Sequence, residues 1–234
     1  MAGIGVRLNR IYEKNTISSS VFGFGYSTVI TIAPMIMVIA SVMIMEQLLG
    51  FSTLGYVGRE LFSCTVLYMS LFALFSISPF NAVLSKYMSD VIYLERFEDI
   101  LPCYYVGLVM TVAFSTIIGI PFTIREYFVG KIELWFIILG YFGFISMVLV
   151  FYTMLYLSIC KDYKKISFFF ITGMSFCILL SLMLVKVFNV PCIYGMLISL
   201  DAGFLLIAVL EFALVRSYFR NNSGKYREVI RYFK

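Results

Sequence analysis

Residues 134–160 read LWFIILGYFGFISMVLVFYTMLYLSIC, 27 residues without one charged side chain. A helix needs about 20 apolar residues to cross a hydrocarbon layer of ~30 Å. The stretch is long enough for one crossing and too short for two. The same pattern repeats outward on both sides. Residues 166–185 (20), 100–124 (25), 61–85 (25) and 15–45 (31) are also uncharged, and 187–215 (29) contains only Asp201 and Glu211. The six runs cover 157 of 234 residues and hold 2 of the 31 formal charges. Lipid is therefore the solvent of most of this chain.

Composition agrees. Apolar types make up 62% and charged residues 13%, against roughly 45–50% and ~25% in a soluble domain. Mean hydropathy is +0.97. A soluble chain of this size must cover itself with polar surface, which this one lacks. Unpaired backbone groups are not tolerated in lipid, so spans are helices or closed barrels. Barrel strands alternate polar and apolar residues over about ten positions, and Phe176-Cys177-Ile178-Leu179-Leu180-Ser181-Leu182-Met183-Leu184-Val185 does not. The expected fold is all-α and polytopic, with six transmembrane helices.

The basic residues predict the orientation. Fourteen Lys and Arg fall in residues 1–20, 86–99, 161–165 and the tail from Arg216, and four (Arg59, Arg125, Lys131, Lys186) fall between them. The positive-inside rule then places both termini in the cytoplasm, and an even number of helices requires both termini on one side. Residues 15–45 are too long for the about 7–15-residue core of a signal peptide, and no A-x-A-like site follows; they are expected to stay as the first helix.

Three regions are expected: a cytoplasmic interfacial segment over 1–20, a six-helix lobe over 21–215, and a basic amphipathic tail over 216–234. In the first segment Ile4, Leu8, Ile11 and Tyr12 share a helical face flanked by Arg7, Arg10 and Lys14. In the tail Tyr226, Val229, Ile230 and Phe233 do the same beside Lys225, Arg227, Arg231 and Lys234. Pro102 suits the first turn of a helix after Asp99, and Pro191 the turn between the last two helices. Pro34 and Pro79 are predicted inside helices, where each removes a backbone hydrogen bond. They are candidate gating hinges, although prolines are common in membrane helices. The charges of 86–99 read as a solvated loop.

Asp201 stands near the middle of its run. A central Asp costs about 2.5–3.5 kcal/mol on insertion scales, so it should face protein or a watery cavity. It is the candidate for a transport path that carries a cationic solute or a coupling ion; the alternative is a protonated or hydrogen-bonded structural Asp. Glu211 lies about 80° away around the same helix and five residues before Arg216, within expected reach of cytoplasmic headgroups; it joins Asp201 as a path candidate. Tyr141, Tyr152 and Tyr156, in one helix with Gly140 and Gly143, read as buried packing or as sugar-stacking faces, and the glycines as a close helix contact.

Enzymatic chemistry is not expected. The sequence has no histidine and no GxSxG motif, and its five cysteines show no CxxC spacing. No catalytic residue, metal site, cofactor or nucleic-acid partner is predicted.

Several segments carry a family resemblance. The opening Met1-Ala2-Gly3-Ile4-Gly5 is followed by a short basic segment. Later come Ser78-Pro79, Leu84-Ser85-Lys86-Tyr87-Met88-Ser89-Asp90, Tyr93 and Asp99-Ile100-Leu101-Pro102. Together they resemble the PelG family over residues 1–102, and more weakly beyond. The resemblance implies a polysaccharide flippase-like fold of two six-helix lobes working by alternating access. It also implies export of a galactosamine-rich, partly cationic exopolysaccharide across the cytoplasmic (inner) membrane beside PelD-, PelE- and PelF-like synthase proteins. Such a transporter has twelve helices and this chain supplies six, so a second six-helix lobe is an expected partner. Two alternatives remain: a scaffold that docks a synthase through the loops 86–99 and 161–165, with Lys161, Lys164 and Lys165, and the tail, and a small-molecule efflux lobe.

Overall fold

The computed structural model describes residues 34–94, 96–159, 163–219 and 229. Every regular element among them is helical, with no strand. The chain enters through α1 (Pro34–Leu48) and a short 3-10 turn, Phe51–Thr53. Then come α2 (Tyr56–Tyr93), α3 (Ile100–Phe128), α4 (Leu134–Ile159), α5 (Tyr163–Leu182) and α6 (Cys192–Tyr218). Helices α2 to α6 are long and apolar enough to span a membrane, and α1 is apolar over its shorter described length.

The helices run alternately up and down. The first residues of α2, α4 and α6 meet the last of α3 and α5 at one end, and the reverse holds at the other. Helix α4 is the hub: it packs most extensively on α6, then on α2 and α3, while α5 rests mainly on α6. Helix α1 joins through Met45, whose Sδ lies 3.5 Å from Cys177 Sγ on α5. Large hydrophobics point outward on every helix, such as Phe75 at 65% and Trp135 at 68% exposure. Hydrocarbon is as apolar as these side chains, so association in lipid depends on close packing and small residues instead. A Cβ on Gly203 would stand 2.9 Å from Cys177 Cβ and 3.1 Å from the Gly173 carbonyl oxygen, so glycine lets α5 and α6 approach backbone to backbone. The hydroxyls of Thr65, Ser146 and Ser199 bond back to carbonyls four residues earlier, which removes most of their cost in an apolar setting.

Three boundaries depart from the sequence reading. Helix α2 continues through Lys86, Ser89 and Asp90 to Tyr93, so two of the charges expected in a loop over 86–99, Lys86 and Asp90, ride on its last turns. At 38 residues it rises about 57 Å, far more than the ~30 Å hydrocarbon layer. The connection to α3 is a short 3-10 turn, Phe97–Asp99, with Arg96 paired to Asp99. Helix α5 ends in a π turn, Met183–Val187, that carries Lys186. A further proline, Pro121, lies inside α3; the sequence reading passed over it.

Candidate transport site

A cleft of about 880 Å³ opens at the end of the bundle where α2, α4 and α6 begin. Its α2 wall follows from spacing. Glu60, Cys64, Tyr68 and Phe72 recur at every fourth residue and form one stripe along the helix. Tyr68 and Phe72 meet Phe122 of α3, with ring centroids 5.6 and 4.8 Å apart. Tyr141 and Phe144 of α4 line the other wall. These walls are apolar, and the mouth is charged. Glu60, Glu126 and Glu133 stand there with Lys131, three carboxylates to one ammonium. Two of the acids are held: Tyr194 Oη donates to Glu133 Oε2 at 2.6 Å, and Arg125 pairs with Glu126 at 2.6 Å. Glycines thin the seams, since Cβ atoms on Gly119 and Gly140 would press on Phe144 and Thr65.

Below the cleft lies Asp201. It is nine residues into α6, about 14 Å along its axis, and 3% exposed. Neither carboxylate oxygen has a hydrogen-bond partner. It projects at Gly143 of α4, where any side chain would collide with both Asp201 Oδ1 and Met69 Cε. Met69 also lines the cleft, so its thioether stands between the cavity and the carboxylate. Cys177 of α5 is close enough to interact electrostatically with Asp201.

The opposite end holds a second buried polar cluster. Tyr152 Oη donates to the Tyr104 carbonyl at 2.7 Å, which leaves it to accept from Tyr156 Oη, 3.2 Å away. Tyr104 Oη and Thr153 Oγ1 are 3.1 Å apart, and Cys103 Sγ lies 3.5 Å from Tyr156 Oη. Gly107 makes room for the Tyr152 hydroxyl. Glu211 sits beside this cluster, where its neighbour Phe212 meets the Tyr104 ring at 5.9 Å. It was expected within reach of headgroups. Instead it is fully buried, with both oxygens unpartnered, because α6 turns this face toward α3 and α4 rather than toward the rim.

The remaining sequence candidates are dispersed. Pro79 is inside α2 on an exposed face. Pro34 is buried at the head of described α1, and its expected place inside a longer helix depends on residues outside the described ones. Lys164 is exposed, and Lys165 Nζ donates to Tyr218 Oη at 2.5 Å, joining the start of α5 to the end of α6. Arg7, Arg10, Lys14, Lys161, Arg227 and Arg231 lie outside the described residues. Val229, from the tail's expected apolar face, is fully buried. Sequence reasoning missed the cleft itself. The four-residue spacing from Glu60 to Phe72 was its legible signal, but that stripe crosses the boundary between a loop and a span.

The comparisons with known proteins fit a membrane exporter. The whole chain, residues 1–234, matches the family model PelG, described as "Putative exopolysaccharide Exporter (EPS-E)". Neither a search of curated proteins nor one of solved structures gives a match. The chain belongs to the PelG family and is a multi-pass membrane protein.

Proposed function

We propose that this chain forms one lobe of an exopolysaccharide exporter of the cytoplasmic membrane, and that the cleft is the outward half of the polymer's path. Family membership supports export of an exopolysaccharide. The cleft above Asp201 carries the finer reading. Sugar rings present apolar C–H faces that stack on aromatic rings, and Tyr68, Phe72 and Phe122 supply a continuous patch of them. Carboxylates at the mouth accept hydrogen bonds from sugar hydroxyls and attract amines. A partly cationic, galactosamine-rich polymer of the Pel type suits both features. The excess of Lys and Arg in the segments at the other end of the bundle supports an outward-facing cleft with both termini in the cytoplasm.

Alternating access requires the bundle to change shape against a second six-helix lobe. Pro79 takes one backbone hydrogen bond out of α2, the longest helix and a wall of the cleft, and Pro34 stands at the head of described α1. These are the hinges. The polymer reaches the cleft from a synthase complex with PelD-, PelE- and PelF-like members on the basic cytoplasmic face, where Lys164 and Lys165 lie. No residue of the path does covalent chemistry.

Asp201→Asn keeps the shape of the side chain and removes its charge. Secreted polymer, measured in the medium of the host cell, is expected to fall several-fold while the amount of protein in the membrane is unchanged. Normal secretion by that variant contradicts a transport role for the carboxylate.

A further inference from the structure

We propose that Asp201 is a reversible proton-binding site loaded from the cleft, with the Met69 thioether as the gate between them. The idea deepens the export reading and takes its purpose from it; its evidence is separate.

Asp201 is buried and both oxygens lack a donor. A charged group so placed needs a counter-ion or hydrogen bonds. Helix α4 offers the bare Cα of Gly143, α2 the Met69 thioether and α5 the Cys177 thiol. Of these only Cys177 titrates. Glu211, on the same helix, is ten residues further, about 15 Å along the axis. Hard cations such as sodium, magnesium or calcium take shells of oxygen ligands, and these neighbours supply none. Among the described residues no three His, Cys, Asp or Glu side chains gather into a metal site. A proton needs no such shell, because the carboxyl group alone holds it.

Met69 Cε and Asp201 Oδ1 both reach the space that a Gly143 side chain would fill. Met69 is also a wall of the cleft. Its unbranched side chain has three rotatable bonds, so a rotamer change connects the carboxylate to the water that fills the cavity in solution. Glu60, Glu126 and Glu133 at the mouth outnumber Lys131 and Arg125 by one carboxylate, and this negative balance favours protons there. The proton passes from a hydronium in the cleft to the carboxylate, leaving water behind, and returns the same way. The neutral acid fits the packed seam between α4 and α6. The anion does not, so proton release favours a state in which the seam opens. That two-state seam is what couples the proton to the movement of the lobe.

Infrared spectroscopy of the purified protein in lipid nanodiscs tests this directly. The expected result is a carboxylic-acid C=O band that grows as pH falls, disappears in Asp201→Asn and shifts in Asp201→Glu. In heavy water the band's exchange is expected to be about tenfold faster in Met69→Ala, as the loss of a local barrier predicts, and unchanged in Met69→Leu. The proposal is overturned if no Asp201-dependent band appears at any pH, if the band does not titrate, or if exchange ignores Met69→Ala. The Glu variant keeps a carboxyl group at the position, so its shifted band separates a lost site from an unfolded protein. No polymer is involved. Failed secretion with a normal band therefore counts against the export reading alone, and a missing band against the proton site alone.

Discussion

A bulky maleimide coupled to Cys64 is expected to stop polymer export. Cys64 is exposed and lies in the middle of the α2 stripe, one turn from Glu60 and one from Tyr68. The cleft of about 880 Å³ falls within the ~300–1,000 Å³ of sites that enclose drug-sized ligands. A reagent of that size attached to its wall leaves no room for a sugar chain. The background needs Ser at Cys103, Cys160, Cys177 and Cys192. Of these, Cys103 and Cys177 are buried in any case. Export from cells with this background should be normal before labelling and fall to the background level after it. Cys64→Ser should export normally with or without reagent. Continued export after complete labelling contradicts a polymer path through the cleft.

Gly143→Leu is expected to destabilise the bundle strongly. Even a Cβ at this position would meet Asp201 Oδ1 and Met69 Cε at once, and leucine adds a branched group beyond it. Overpacking of a filled interior costs about 1–3 kcal/mol. The strain here falls on α4, the hub, where it faces both α2 and α6. The protein should lose thermal stability in detergent and accumulate poorly in the membrane, and export should be lost. Gly140→Ala is the matched control. Its Cβ would stand 3.3 Å from Thr65 Cγ2, a contact that a shift of a few tenths of an ångström relieves. Near-normal stability in Gly140→Ala beside collapse in Gly143→Leu is the expected contrast. Equal stability of the two contradicts the packing of Asp201 against Gly143.

The spans were legible because hydrocarbon excludes charge, and an uncharged run of 25 residues such as 61–85 needs no tertiary information to be recognised. Where a helix ends is a different matter. Lys86 and Asp90 end the uncharged run, yet both are compatible with a helix, and α2 runs on to Tyr93. Charge marked the end of the apolar run and not the end of the helix. The π turn at Met183–Val187 and Pro121 within α3 left no signal in the charge pattern. Asp201 was legible as a costly residue at mid-depth. Its partner Gly143 depends on the rotation of two helices about their axes, which hydropathy does not fix when every face is apolar. The same indeterminacy hid the burial of Glu211. It also hid the cleft, which four helices build from residues that look like ordinary loop acids and span aromatics.

The central claim is that the cleft opens away from the cytoplasm, and the sidedness of Cys64 tests it. Right-side-out membrane vesicles carrying Cys64 as the single cysteine are treated with a membrane-impermeant maleimide, and inverted vesicles are treated alongside. Labelling of Cys64 in the right-side-out vesicles, with protection in the inverted ones, is the predicted result. Labelling in the inverted vesicles alone places the cleft on the cytoplasmic face and contradicts the account.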